Sequence, residues 1–362
     1  MELVYLVLVL VPVVAAAAAG TLLLGRRATA LRTAAAYAGR HVLITGGTSG
    51  IGLAVATAAV GLGARVTVVG RDAGRLADAV ALLRATPPEG PRAAAARGSG
   101  PPQVVGISAD VSRPEGAATA VVGATAAHGP LDSVFCVAGS AIARRFIEMD
   151  AADLDAMVAT NLGTALHTAH AAARSMAAVT PSPDHPRQLV LVSSMGGLVG
   201  VTGLAAYCAA KWGLRGLGEA LYYELRPYGV GVSVVFPPDT ATPGFDAENV
   251  GKPPETMAVS ESGGLWQPAD VAAKMLSSAA AGTPRITFGA EGAMLGGVAA
   301  GMGPGLGGEV LWGGVVRVVA QGYVAYWNWL IGRAHQERVA ASTAALEMGR
   351  GRGEGGGGGK AA

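Results

Sequence analysis

From His41 onward the chain alternates short β-branched runs with longer alanine-rich stretches, a pattern that predicts an α/β fold. The strand-length apolar runs fall at 41–45, 65–69, 104–108, 132–137, 188–193, 231–236 and near 285–288. Alanine-rich stretches of helical length lie between them, so consecutive strands are joined by crossover helices. Seven strands connected this way predict a doubly wound parallel sheet within one domain over 38–300.

The two ends of the chain break the pattern. Residues 3–24 carry no charge and are rich in Leu, Val and Ala, long enough at ~1.5 Å per residue to cross a ~30 Å hydrocarbon layer. Glu2 precedes this run and Arg26, Arg27 and Arg32 follow it. The bias of basic residues towards the cytosol places everything after it on the cytoplasmic side. Residues 1–27 are therefore expected to be a transmembrane anchor. The rival is a cleaved signal peptide, which the alanines at 15–19 would suit but the missing basic start would not. At the other end, 301–335 holds an apolar stretch at 309–332 with Trp312, Tyr323, Tyr326, Trp327 and Trp329. Such residues suit a helix at or in a membrane interface, and packing on the domain's own core is the alternative. The Pro/Gly/Ala-rich segment 86–103 and the Gly-rich tail 349–362 show no periodicity and are expected to be disordered.

Composition narrows the function classes. Of 362 residues 51% are hydrophobic and 14% charged, with a net charge of +2, which argues against a nucleic-acid partner. Cys136 and Cys208 are the only cysteines and have no metal-ligand spacing, so no zinc site or disulfide framework is expected.

Chemistry enters at the first strand. After His41–Thr45 comes TGGTSGIG at 45–52, a glycine-rich turn into a helix beginning near Ile51. This strand–turn–helix context is what a dinucleotide fingerprint needs: glycines let the backbone approach the pyrophosphate, and the helix N-terminus offers unpaired N–H groups. The expected contacts are Gly46, Thr48, Ser49, Gly50 and Ile51, in a Rossmann-type sheet. The second strand ends at Gly70, where an NAD-selective enzyme would place an acidic side chain for the ribose. Arg71 and Arg75 lie one helical turn apart and can pair with a 2′-phosphate, so NADPH is the expected cofactor. Asp72 is expected to cap the following helix. Asp110, followed by Val111, is placed to contact the adenine or else to act as a cap.

Tyr207 and Lys211 are spaced i, i+4 on a predicted helix, so they share a face. The ammonium is expected to lower the phenol's pKa and make Tyr207 a usable acid/base. Ser194 lies thirteen positions before the tyrosine.

In order and separation, TGGTSGIG, Asp110-Val111, the AG of CVAG at 136–139, Asn161 in TNLG, Ser194 and YCAAK at 207–211 resemble the short-chain dehydrogenase/reductase superfamily over roughly 41–290. The resemblance implies that Tyr207 protonates the carbonyl oxygen as hydride arrives and that Ser194 hydrogen-bonds the same oxygen. It implies that Lys211 tunes Tyr207 and holds the nicotinamide ribose, while Asn161 holds a water relaying protons to Lys211. One departure is Cys136, where the family carries Asn. A narrower resemblance rests on PPDTATPGF at 237–245, then Glu248, Lys252-Pro253, Glu255-Thr256 and Ser260-Glu261, and on FGAEGAMLGGVAAGMGP at 288–304. These are similar to the 3-ketodihydrosphingosine reductases of sphingolipid synthesis. That likeness implies a proline-locked lid over a long-chain keto-lipid substrate, and an enzyme in the endoplasmic reticulum membrane with its active site facing the cytosol. Two rival readings share much of the pattern: a membrane-anchored reductase of a steroid or retinoid carbonyl, and a catalytically silent dinucleotide-binding scaffold. The sequence leaves open whether the chain forms a homo-oligomer.

Overall fold

The computed structural model describes residues 25, 27–182 and 186–299. The apolar runs 3–24 and 309–332 and the tail 349–362 lie outside them. Among the described residues, no helix is long and apolar enough to cross a membrane.

All seven strands form where β-branched runs predicted them: β1 His41–Thr45, β2 Arg65–Gly70, β3 Val104–Ser108, β4 Ser133–Cys136, β5 Arg187–Val192, β6 Val230–Phe236 and β7 Arg285–Thr287. They make one sheet in the order β3-β2-β1-β4-β5-β6-β7, every pair parallel. The chain works outward from β1 to β3 on one side, then returns to lay β4 against β1 and continue the other way. That reversal is the switch point at which open parallel sheets carry ligand sites.

Helices cover both faces, as a sheet buried on both sides requires. After α1 (27–37) come α2 Gly50–Gly61, α3 Ala73–Arg84, α4 Pro91–Arg97, α5 Pro114–His128, α6 Ala151–Val158, α7 Thr164–Ala177, α8 Ala205–Glu224, α9 Pro243–Asn249, α10 Pro254–Gly263 and α11 Pro268–Ala280. One core layer joins Val42, Ile44, Val66 and Val68 of the sheet to Val55 and Val60 of α2, Leu83 of α3 and Met275 of α11. The opposite layer joins Leu43, Val134 and Leu189 to Ala120 of α5, Met176 of α7 and Leu214 of α8. Alanines dominate the helix side of the second layer, which lets those helices sit close to the sheet. Tyr37 of α1 is buried in the first layer and donates its hydroxyl to the Leu276 carbonyl at 3.1 Å, tying α1 to α11.

The segment 86–103 departs from its expected disorder. Pro91 starts α4 after Gly90, and Ala93 is buried against the turn at Gly63. Arg97 then donates to the carbonyls of Val60 at 2.8 Å and Thr86 at 2.9 Å. One short helix, satisfying carbonyls at the end of α2, anchors a stretch whose composition reads as a linker.

Candidate active site

At the carboxyl ends of β1, β4 and β5 the sheet opens into a cleft of about 600 Å³. Ligand-facing residues from the glycine turn, the ends of β2, β3 and β4, helices α7 to α9 and the 237–248 segment all border it.

The turn after β1 is shaped by close approach. Gly46 has φ +68°, and a Cβ there would lie 2.8 Å from the Ala138 Cα. Gly50 has φ +52°, and a Cβ at Gly52 would run into the Gly46 carbonyl oxygen. Only glycine fits these positions. Ser49 precedes α2 in extended conformation and its side chain makes no cap hydrogen bond, so the first-turn amides remain for a ligand. Thr48, Ser49, Gly50 and Ile51 all line the cleft. This cradle, which any side chain would fill, fits a dinucleotide pyrophosphate.

At the end of β2, Gly70 does not simply leave space. A Cβ there would lie 2.6 Å from the Thr48 methyl group, so an acidic side chain has no room. Arg71 and Arg75 stand exposed at the cleft's edge. Asp72 caps α3 by accepting from the Arg75 N–H at 2.8 Å, and its carboxylate lies 3.6 Å from Arg75 Nε. Asp110 also serves as a cap. Its Oδ1 accepts from the Ser112 N–H at 3.1 Å and hydroxyl at 2.7 Å, and the hydroxyl bond is the main cause holding its pKa below the usual carboxylate range. Asp110 still borders the cleft, as does the core residue Val111.

The four candidate catalytic side chains converge. Ser194 lies two residues past β5, caps the 3₁₀ turn Met195–Gly197 and accepts from the Gly196 N–H at 3.1 Å. Tyr207 and Lys211 sit on α8, with Lys211 Nζ 5.4 Å from the Tyr207 ring centre. Ser194 and Tyr207 both flank Gly196. Burial pushes Tyr207 above the usual phenol range; the Ser194 hydroxyl opposes the rise, and the charges of Glu248 and Asp239 add to it. Burial also lowers Lys211 to about 8. The expected lowering of Tyr207 by Lys211 is therefore overturned: the ammonium faces the ring and bonds the Val192 carbonyl at 3.1 Å, and desolvation dominates. The result is a protonated phenol, the form a general acid needs.

Asn161 lies in a single π-helical turn, Ala159–Gly163, between α6 and α7, a distortion that concentrates at functional sites. Its Nδ2 donates to the carbonyls of Ser140 at 2.7 Å and Met157 at 3.1 Å, while Oδ1 accepts from the Ser140 N–H at 3.3 Å. The side chain thus clamps the loop after β4 to the helix. A Cβ on Gly139 would lie 2.8 Å from Asn161 Oδ1 and 3.3 Å from Lys211 Nζ, which explains the glycine of CVAG. Cys136, buried with its thiol pushed up to about 12, pairs in register with Thr45. The Thr45 hydroxyl is buried without a hydrogen-bond partner among the described residues.

Over the far side, Thr242 caps α9 by accepting from the Phe245 N–H at 3.1 Å. Lys252 follows with its side chain fully buried, 2.8 Å from Glu248. Asp239 and Glu248 were not expected as site residues. The i, i+4 spacing of Glu248 and Lys252 signals their pairing, but nothing local reveals that the pair is buried against the cleft.

A parallel sheet with a glycine cradle at its switch point and a Ser–Tyr–Lys–Asn set converging on the cleft beside it defines an oxidoreductase of the nicotinamide dinucleotide class. A comparison with known families matches residues 40–252 to short chain dehydrogenases, and the chain belongs to that family. It is 31% identical over 313 residues to a 3-dehydrosphinganine reductase of Danio rerio, covering 84% of this chain and 90% of the relative. It is likewise 31% identical to a 3-ketodihydrosphingosine reductase of Bos taurus, covering 85% and 90%. Among solved structures, a short chain dehydrogenase/reductase from Burkholderia phymatum in complex with NAD matches with TM-score 0.58 and 25% identity, covering 69% of this chain and 89% of that one.

Proposed function

We propose that the protein reduces 3-ketodihydrosphingosine to dihydrosphingosine in sphingolipid synthesis, with NADPH as the reductant. The observation that carries this is the cleft itself: a protonated Tyr207 beside Ser194 and Lys211, under a wall built from the 237–261 segment, in a chain resembling curated 3-dehydrosphinganine reductases over most of its length.

Reduction adds a hydride to the ketone carbon and a proton to its oxygen, leaving a secondary alcohol. The dinucleotide, when bound in the Gly46–Ile51 cradle, supplies the hydride. Tyr207 gives its phenolic proton to the oxygen, and the nearby Ser194 hydroxyl steadies the same oxygen. Lys211 is buried as a cation beside the ring and offsets the tyrosinate that forms. Asn161 clamps the 138–140 loop beside Lys211 through Ser140.

NADPH is favoured over NADH by the blocked Gly70 position and the two exposed guanidiniums of Arg71 and Arg75, which suit a phosphate. Membrane attachment through the uncharged run 3–24, with the catalytic domain on the cytosolic side of the endoplasmic reticulum, suits a substrate with a long apolar tail. The test is reductant oxidation with 3-ketodihydrosphingosine beside a panel of steroid and retinoid ketones. Turnover of the keto-lipid, several-fold faster with NADPH than NADH, is expected; a preference for a steroid or retinoid would overturn the reading.

A further inference from the structure

The cleft wall facing Tyr207 carries more negative charge than carbonyl reduction requires. Glu248 and Asp239 both border the cleft. The Glu248 side chain is 13% exposed and is held at 2.8 Å by Lys252, whose own side chain is fully buried. Lys252 Nζ is fixed in turn by the Ser260 hydroxyl at 3.2 Å and by the Phe245 ring 4.7 Å away. One lysine compensates one carboxylate. Asp239 is part-buried, and among the described residues its carboxylate makes no hydrogen bond or ion pair. Among the described residues, Asp239 thus brings to the cleft a carboxylate with no ion-pair partner of its own, where Tyr207 must give up its proton. Both carboxylates make that loss harder. A substrate that brings a cation would pair with that carboxylate and lessen the cost.

On the substrate reading above, we infer that Asp239 and Glu248 form the subsite for an ammonium group on the carbon next to the ketone, and so select amino ketones over plain ketones. In 3-ketodihydrosphingosine the amine is on the carbon adjoining the carbonyl, so the nitrogen travels with the oxygen that Tyr207 holds. Asp239 contributes the free charge. Glu248 contributes a carboxylate whose position is set by Lys252, a residue that acts through it.

The experiment compares kcat/KM for 3-ketodihydrosphingosine with that for the desamino 1-hydroxy-3-ketone of equal chain length, using the full chain and its D239N and E248Q variants, with thermal melts to establish folding. The unsubstituted enzyme should prefer the amino ketone by about 10–100-fold, the range of one charge-assisted contact. Each variant should shrink that ratio, lowering kcat/KM for the amino ketone far more than for the desamino ketone. The preference should also fade as pH rises past about 8, where an amine beside a carbonyl, like a chain's terminal amine, loses its proton. Equal losses on both ketones, or an unchanged ratio, would overturn the inference while leaving the reductase reading standing. Failure of the unsubstituted enzyme on both ketones would instead overturn the substrate reading and the inference with it.

Discussion

The two ends of the sheet bury polar side chains for different purposes. At the carboxyl end, Lys211 and Asn161 are buried and Tyr207 is half-buried around a cleft that all three line. At the amino end, His41 and Arg187 are buried just as deeply, but they face the protein. Arg187 donates to the carbonyls of Met176, Val179, Thr180 and Tyr228, where α7 and the turn before β6 leave unpaired oxygens. His41 bonds the Gly129 carbonyl through Nδ1 and the Thr67 hydroxyl through Nε2, each at 3.0 Å. A carbonyl only accepts, so Nδ1 carries a proton, and burial keeps the ring neutral, with Nε2 accepting from the Thr67 hydroxyl. Burial by itself does not mark a functional site; the direction in which the donors point does.

The largest effect that separates the ends is expected at Tyr207. Replacing it with Phe should lower kcat by at least ~10²–10⁴, the range of general acid catalysis, while calorimetric binding of the dinucleotide and the melting temperature stay near their original values. Near-normal turnover would remove Tyr207 from the mechanism. At the amino end the equivalent insult is protonation. Burial lowers His41 to about 4 from an ordinary 6.5, with the nearby His128 and Arg65 charges adding to the effect. The folded state thus binds its proton later than the unfolded chain. Stability is whole above the unfolded value and is lost as pH falls from about 6.5 towards 4, by about 3 kcal/mol in all. Denaturant melts across that window should show the loss, and His41→Gln should flatten it. A slope unchanged by the substitution would assign the acid sensitivity elsewhere.

Arg187 comes next. Arg187→Met keeps the stem but strands several carbonyls, and should cost about 2 kcal/mol of stability, read as a lower denaturation midpoint, with KM for both substrates unchanged. A KM change would mean the two ends are coupled.

The same contrast governs what could be read from the sequence. The strands were legible because β-branched runs such as VTVV at 66–69 have few other fates, and the cleft was legible because glycines at 46, 50 and 52 and the Tyr207–Lys211 pair carry chemistry in their spacing. The amino end was not. His41 and Arg187 open strands, where polar residues are ordinary; the His41 carbonyl partner at Gly129 is 88 residues away, and Arg187 reaches the unpaired carbonyls at the end of α7 and beyond it, which no spacing marks. The helix α4 was hidden because PRAAAAR has no apolar stripe and buries only Ala93. The Tyr207 electrostatics were misjudged because i, i+4 spacing gives proximity but not desolvation. Burial of Lys252 depends on α9 and α10 folding over it, which no local signal contains.

The smallest effect tests the rim of the cleft, where exposure weakens every charge. Arg71 and Arg75 are both exposed, and Arg75 is already 3.6 Å from Asp72, so each contributes less than a buried guanidinium would. Their selectivity should come from geometry: a guanidinium fork matches a phosphate, and NADH has none at the 2′ position. Arg71→Ala with Arg75→Ala should therefore raise KM for NADPH by about tenfold, leave KM for NADH within a factor of two, and leave kcat unaltered with either. The companion substitution is Gly70→Asp. Its Cβ would meet the Thr48 methyl at 2.6 Å, so the carboxylate cannot enter without moving the turn, and this variant should lose both cofactors rather than switch to NADH. A clean switch would show that the glycine turn yields more readily than its packing implies. Equal KM increases for NADPH and NADH in the arginine variant would assign those residues to holding α3 in place, leaving the preference to Gly70 and Thr48.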